Sequence, residues 1–128
     1  MTPDELLPTY FRCLDTEDWE LMRTLWHPDA TMLAVGTRPR VGVDDIIEFF
    51  STLFAAWPAH EDRPTRTIAA EGTSTVEVLF LGTTADGRTV QFEAVDVFDI
   101  EDGRIRKLSN WYDIAYVRRA LAADAPPR

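Results

Sequence analysis

The sequence predicts an α+β domain in which N-terminal helices pack on one face of an antiparallel sheet. As far as Trp57, apolar residues recur at the spacing of amphipathic helices. Beyond Trp57 they alternate with a period of two, and turn dipeptides divide this half into segments of about ten residues. Helices followed by a meander of long strands are typical of α+β folds with the helices on one sheet face.

Three helices are predicted in the first half of the chain. The first opens with the capping box Thr2-Pro3-Asp4-Glu5, which has proline at the first helical position. A second, short helix carries apolar residues from Trp19 to Trp26, and Pro28 limits it because the residue before a proline disfavours helical backbone angles. The third and clearest helix has a broad apolar face from Ile46 to Trp57 and stops at Pro58.

Extended segments connect and follow these helices. A short one from Ala30 to Val35 leads into a turn between Gly36 and Gly42. Four strands are predicted at about 62–70, 73–82, 89–100 and 104–113, separated by Glu71-Gly72, Asp86-Gly87 and Asp102-Gly103. A last short helix at about 114–122 precedes a frayed tail at about 123–128, so residues 1–128 are expected to form a single domain.

The charge and cysteine content narrow the expected partners and compartment. Thirteen basic against 22 acidic residues give a net charge of −9, which repels phosphate backbones and anionic lipid, so we expect no nucleic acid and no membrane partner. The single cysteine, Cys13, excludes an intramolecular disulfide and fits a reducing compartment. No signal-peptide pattern is visible, so a cytoplasmic location is expected.

The usual motifs for cofactors and metals are missing from the sequence. It has no glycine-rich phosphate loop, no Gly-x-Ser-x-Gly elbow and no His-Glu-x-x-His. The two histidines, His27 and His60, are 33 residues apart, and neither has a second histidine or cysteine at metal-ligand spacing. We therefore predict no cofactor and no metal.

The strand from Val90 to Ile100 carries one residue out of place. Its even positions are apolar except for Asp96, and because strand side chains alternate between faces, this set is expected to face the helices. A buried, unpaired carboxylate has a raised pKa, which suits a general acid or base near neutral pH. Two alternatives stay open: a bulge that turns Asp96 to solvent, or a structural pairing with an arginine.

Polar residues of neighbouring elements are expected to share a cavity with Asp96. The Asp102-Gly103 turn makes the last strand its hairpin partner, so Asn110 and Tyr112 come within cross-strand distance. Tyr10 lies on the apolar face of the first helix, and a cavity carboxylate would give its hydroxyl a partner.

Two further patterns concern the shape of this cavity. A bulge is predicted near Arg106-Lys107 because Ile105 and Leu108 are both apolar although their parity differs. The aromatic residues are expected to supply apolar walls to a pocket of at least roughly 300 Å³, with ordinary core filling as the alternative. They are Trp26, Phe50, Phe54, Trp57 and Phe98.

Several segments of the chain carry a resemblance to a known family. Those in the second half are Val95-Asp96-Val97-Phe98, Glu101-Asp102-Gly103-Arg104-Ile105 and Ser109-Asn110-Trp111-Tyr112-Asp113. They are similar to the closing strands of SnoaL-like proteins, and the order of elements resembles the nuclear-transport-factor-2-like superfamily over nearly the whole chain. The resemblance implies a cone-shaped fold whose helices and curved sheet enclose a cavity. It leaves the reaction open, because this superfold hosts isomerases, cyclases, dehydratases, hydrolases and non-enzymes.

The resemblance also implies roles for individual residues. Ketosteroid isomerases of this superfamily use a tyrosine of the first helix and a strand aspartic acid as an oxyanion hole, and Tyr10 and Asp96 match them by position. The catalytic base of those isomerases would fall at or beside Ala34, which cannot move a proton. The acid/base aspartate of SnoaL-type cyclases and limonene epoxide hydrolases falls at Asn110, whose amide cannot act as a base.

These observations predict a protein that binds a small hydrophobic molecule, and they leave open whether it is an enzyme. As an enzyme it would be a cofactor-independent isomerase, cyclase or dehydratase acting on a hydrophobic carbonyl compound. Asp96 would be the acid/base group, Tyr10 would stabilise the oxyanion, and Asn110 and Tyr112 would orient the substrate. The alternative is a non-catalytic ligand-binding or dimerisation module in which Asp96 is a buried, paired carboxylate.

A homodimer that forms through the sheet is also expected. Val95, Val97 and Trp111 place apolar side chains on the outer face of two adjacent strands. Such a patch is unusual on a monomer. The family resemblance implies the same mode of assembly, with two-fold symmetry.

Overall fold

The computed structural model describes residues 2–122, with Pro3 described in its backbone only; the predicted frayed tail at 123–128 lies outside these residues. The chain has four helices and six strands within this range. In order they are α1 (Pro3–Thr16), α2 (Trp19–Arg23), β1 (Trp26–Ala34), β2 (Arg40–Val41), α3 (Val43–Phe54), β3 (Ala59–Ala70), β4 (Thr73–Thr83), β5 (Thr89–Glu101), β6 (Arg104–Tyr112) and α4 (Ile114–Ala122). The α+β class and the order of elements are confirmed.

All six strands belong to one sheet, in the order β2-β1-β6-β5-β4-β3. Neighbouring strands are antiparallel except β1 and β6, which run parallel. A parallel pair needs a long crossover connection. Here that connection is the entire chain between β1 and β6, so the first strand of the sheet lies beside the last.

None of the helices in residues 2–122 is long and apolar enough to cross a membrane.

Two predicted helix ends are wrong. The second helix stops at Arg23, and Trp26 begins β1 instead of continuing the helix. Hydrogen bonds at both ends keep α2 short, because Asp18 accepts from the N–H of Leu21 and the hydroxyl of Thr24 donates to the Leu21 carbonyl. The third helix ends at Phe54, three residues before Trp57.

The helices cover the concave face of the sheet and form the core with it. Apolar side chains of α1 and α3 meet the inward-facing side chains of the strands. The core includes Leu6, Tyr10, Leu14, Ile46, Ile47, Phe50, Phe54, Val76, Val78, Phe98 and Leu108. Along β5 the even positions point inward, as predicted, and Asp96 is only 4% exposed among them.

Bulges interrupt three of the strand pairs and help to bend the sheet. On β6, Asp99 pairs with Lys107 while Ile100 pairs with Ile105, which leaves Arg106 as the extra residue and confirms the predicted bulge. On β3 the extra residue is Thr65, and no feature of the sequence predicts this bulge. On β1 the pairing with β6 breaks between Trp26 and Thr31, around the proline that has no N–H to donate.

Gly82 of β4 makes room for the aromatic wall beneath α3. A methyl carbon added there would lie 2.5 Å from Cε3 of Trp57 and 2.6 Å from the ring of Phe80. The two rings pack edge to face with centroids 4.9 Å apart. We therefore expect Gly82→Ala to lower the free energy of unfolding by about 1–3 kcal/mol, as overpacking does in dense cores. Urea denaturation measures this change.

A second variant tests whether the contact with Phe80 causes this loss of stability. In a Phe80→Leu background, leucine replaces one of the two rings that the added methyl group meets. Gly82→Ala should then lower the free energy of unfolding by less than it does in the original chain. An equal cost in both backgrounds would contradict the predicted clash.

Candidate functional site

A cavity of about 270 Å³ lies between the concave face of the sheet and helices α1, α3 and α4. Its volume is slightly below the roughly 300 Å³ predicted, and its walls are largely apolar. Seven of the nine residues predicted for the site line it. They are Tyr10, Phe50, Phe54, Trp57, Asp96, Asn110 and Tyr112.

The other two predicted residues, Trp26 and Phe98, are not among the lining residues. Both are fully buried behind Tyr10, with ring centroids 6.2 Å and 5.1 Å from the tyrosine ring. Trp26 occupies this place because it belongs to a strand and not to a helix. Phe98 follows Asp96 on the same face of β5, where the core is filled, and also packs against Phe11.

Asp96 is the most deeply buried carboxyl group of the cavity wall. It pairs directly across the sheet with Asn110, whose amide Nδ2 donates a hydrogen bond to its Oδ1 at 2.6 Å. Burial raises the pKa of Asp96 to about 6, although the hydrogen bond from Asn110 acts in the opposite direction. No cationic side chain within residues 2–122 forms an ion pair with it. Both alternatives considered from the sequence, a solvent-facing Asp96 and an arginine pair, are therefore wrong for the described chain.

Tyr10 lines the same cavity from the side of α1 and is 1% exposed. Burial, and then the negative charges of Asp96 and Asp62, raise the pKa of its hydroxyl well above the ordinary value. The phenol therefore stays protonated and can donate a hydrogen bond. In the described part of the chain its hydroxyl has no hydrogen-bond partner, so the expected bond to a carboxylate is not formed.

Asp62 contributes a second carboxyl group to the cavity, which the sequence pattern did not predict. Its Oδ1 is buried and has no hydrogen-bond partner. Burial raises the pKa of Asp62 well above its usual range, and the charges of Asp96, Asp15 and Glu61 raise it further. The register explains the position, since Asp62 lies directly opposite the inward-facing Phe80 on β4.

Two polar residues, Tyr112 and Arg118, line the side of the cavity near α4. Burial raises the pKa of Tyr112, and the guanidinium of Arg118 partly offsets this. Arg118 is the one cationic residue among the described lining residues, and its Nη2 donates to the carbonyl of Gly36 at 3.2 Å. The cavity therefore combines acidic groups from the sheet with a cation from α4.

This arrangement can transfer protons in an apolar setting. A carboxyl group with a pKa of about 6 exchanges protons readily near neutral pH. The free phenol of Tyr10 is a donor that can stabilise a developing oxyanion, and such interactions are strong where water is excluded.

The fold is similar to that of nuclear-transport-factor-2-like proteins, as solved structures show. An NTF2-like protein of unknown function from Burkholderia pseudomallei superposes with a TM-score of 0.87 at 18% identity, over 96% of this chain and 100% of that one. A proposed SnoaL-like polyketide cyclase from Jannaschia sp. CCS1 gives a TM-score of 0.86 at 18% identity, over 98% and 93% of the chains. TerC, co-crystallised with polyporic acid, gives 0.85 at 16% identity, over 95% and 100%. At these identities the likeness establishes the fold alone.

The family follows from the sequence model of the SnoaL-like domain, which matches residues 8–108. The chain belongs to the SnoaL-like domain family. A search of the curated proteins found no match.

Replacement of Asp96 should change how stability depends on pH. Because the pKa of Asp96 rises from 3.8 to about 6 on folding, its proton stabilises the native state below about pH 4, and this contribution is lost as the pH rises through about 6. A shift of this size corresponds to about 3 kcal/mol. We expect Asp96→Asn to be more stable than the original chain by up to about 3 kcal/mol at pH 7, with the difference shrinking towards pH 4. Urea denaturation at several pH values measures it.

Glu93→Gln is the matched control, because Glu93 is exposed on the outer face of the same strand. The difference in the free energy of unfolding between Glu93→Gln and the original chain should not show the pH dependence expected for Asp96→Asn. If Asp96→Asn instead lost a few kcal/mol at pH 7, Asp96 would have to be half of a buried ion pair whose partner is left stranded.

Proposed function

We propose that this protein binds a small, largely apolar carbonyl compound and moves a proton at the carbon next to the carbonyl without a cofactor. The observation that carries the proposal is the buried Asp96, which lines an apolar cavity, has no cationic partner in residues 2–122 and has a pKa of about 6. The reaction class is isomerisation, cyclisation or dehydration. All three begin with removal of such a proton or depend on stabilising the enolate it leaves.

Each polar residue then has a role that its position supports. Ionised Asp96 accepts the proton, and Asn110 holds its carboxylate through the 2.6 Å hydrogen bond. Tyr10, with a free hydroxyl, donates to the oxygen that becomes negative. Tyr112 orients the substrate, while Phe50, Phe54 and Trp57 exclude water.

A second candidate is a non-catalytic ligand-binding module. The observation that favours it is the pair Ala34 and Asn110, which are register partners between β1 and β6. Related isomerases and cyclases are expected to carry their acid/base carboxylates at these positions, and here neither side chain can take a proton. The co-crystal of TerC with polyporic acid supports a small organic ligand under either candidate.

Deuterium exchange distinguishes the two candidates. With 2-tetralone as the probe, NMR in D₂O measures both its binding and the exchange of its α-protons. We expect exchange faster than in buffer, with a rate that rises as the pH passes through about 6, because the base must be ionised. Asp96→Asn should slow exchange by ~10²–10⁴-fold and Tyr10→Phe by ~10²–10³-fold.

The outer-face variant Glu93→Gln should exchange the probe at the original rate. Binding without exchange would establish the ligand-binding module and overturn the catalytic proposal. Exchange that survives Asp96→Asn would show that another group is the base. No saturable binding of 2-tetralone or of other bicyclic ketones would contradict a cavity for such compounds.

We also propose that two copies pair through the outer face of the sheet. Trp111 is 46% exposed there, directly across from Val95. The neighbouring row contains Val97 and Ile68, and Ile68 is 52% exposed. Exposed apolar side chains in adjacent rows of one sheet face are typical of an interface.

Light scattering tests this assembly. The chain should show twice its mass of 14.6 kDa at micromolar concentration. Val97→Glu should release monomers, since two-fold symmetry places each new carboxylate within the same interface. A monomeric mass for the original chain would refute the dimer.

A further inference from the structure

Asp15, His60 and Asp62 form a cluster where the end of α1 meets the start of β3. One potential ligand atom from each lies within 4.8 Å of the others. Acidic clusters are common on surfaces, but this one contains a histidine side chain that is only 3% exposed. It also adjoins the cavity, because Asp62 is a lining residue.

The hydrogen bonding of His60 leaves one ring nitrogen free. Nε2 lies 2.9 Å from Oε2 of Glu17, while Nδ1 is buried and has no partner. A carboxylate accepts hydrogen bonds only, so the proton of the neutral ring belongs on Nε2 and the lone pair on Nδ1. An imidazole whose second nitrogen donates to a carboxylate is the usual state of a metal-binding histidine. The ring also packs against Phe54, with centroids 4.5 Å apart, which restricts its rotation.

The two carboxyl groups are held in place as well. Asp15 accepts the backbone N–H of Asp62 through its Oδ1 at 2.8 Å, which leaves its second oxygen available. Oδ1 of Asp62 is buried without a partner, like Nδ1 of His60. Two buried acceptors therefore lie in one cluster without a donor from residues 2–122. Neither aspartate forms an ion pair with a described lysine or arginine, and the nearby Arg63 is bound to Glu61.

We propose that Asp15, His60 and Asp62 bind a divalent transition-metal ion, with Zn²⁺ the best match. One imidazole nitrogen and two carboxylate oxygens form a ligand set that Zn²⁺ binds at roughly 2.0–2.2 Å. The imidazole disfavours Mg²⁺ and Ca²⁺, which select oxygen ligands. Three protein ligands would leave the fourth position of a tetrahedral Zn²⁺ for a water molecule or another ligand. The proposal goes beyond the proposed function, in which Asp96 and Tyr10 act without a metal.

Calorimetry with ZnCl₂ and the full chain, treated first with a chelator, tests the site. We expect one ion bound per chain, and millimolar Mg²⁺ should not displace it. Asp62→Asn and His60→Asn each remove one ligand and should weaken binding at least ~10-fold. Glu17→Gln removes the group that orients His60 and should weaken binding roughly 10- to 100-fold, as such partners do at other metal sites.

His27→Asn is the matched control, because it removes the second histidine of the chain. His27 lies near Glu101 and Asp102 in an exposed cluster, and its Nε2 contacts the Glu101 carbonyl. This variant should bind Zn²⁺ as the original chain does. Loss of binding in His27→Asn, or its survival in Asp62→Asn, would assign the ion to the surface and overturn the proposal. So would the absence of saturable binding by the original chain.

Near-UV circular dichroism shows whether each variant keeps its fold. If His60→Asn does not fold, Asp62→Asn and Asp15→Asn decide the question, since both keep the size of the side chain. The readout is binding of the ion, so failure of this proposal leaves the proton-transfer chemistry of Asp96 untouched. Conversely, an Asp96→Asn variant that lost exchange but still bound Zn²⁺ would assign proton transfer to Asp96 and the ion to the Asp15, His60 and Asp62 cluster.

Discussion

The hydrogen bond between Asn110 and Asp96 is the contact on which the candidate site depends. It requires that β5 and β6 pair in one particular register. The Asp102-Gly103 turn, whose residues have φ of 53° and 74°, starts the hairpin with Glu101 opposite Arg104. Continued without a bulge, that register would place Ser109 opposite Asp96 and turn Asn110 to the outer face. The extra residue at Arg106 shifts the pairing by one, and only then do the amide and the carboxylate face the same cavity.

A second bulge, on β3, turns the side chain of Asp62 towards the cavity. From the turn at Gly72, β3 and β4 pair with Ala70 opposite Thr73, and this register alone would place Asp62 opposite Leu81 on the outer face. The extra residue Thr65 moves Asp62 opposite Phe80, so its carboxyl group enters the cavity. Bulges are known to re-aim side chains next to functional sites. In this fold the bulge on β6 brings the amide of Asn110 to the concave side of the sheet, and the bulge on β3 brings the carboxyl group of Asp62 there.

This difference explains what could and could not be predicted from the sequence. The bulge on β6 was predictable because Ile105 and Leu108 are apolar with opposite parity, so only an extra residue lets both be buried. The strand β3 is an exposed edge strand whose residues beyond Asp62 are all exposed. Its polar sequence has no alternation that would reveal a register, and Asp62 was therefore missed. Helix ends were misplaced for a similar reason, since the apolar Trp26 fits the buried face of a helix or of a strand equally well.

Placing two acidic groups around one cavity makes their protonation interdependent, because Coulomb repulsion between carboxylates is mutual. With a pKa of about 6, Asp96 is ionised at neutral pH, and its negative charge adds to the effect of burial in raising the pKa of Asp62. A cation bound at Asp62 would bring positive charge to the wall of the same cavity, which would lower the pKa of Asp96. Occupancy of the proposed cation site and the basicity of Asp96 are thus linked, and by reciprocity protonation of Asp96 would weaken binding of the ion.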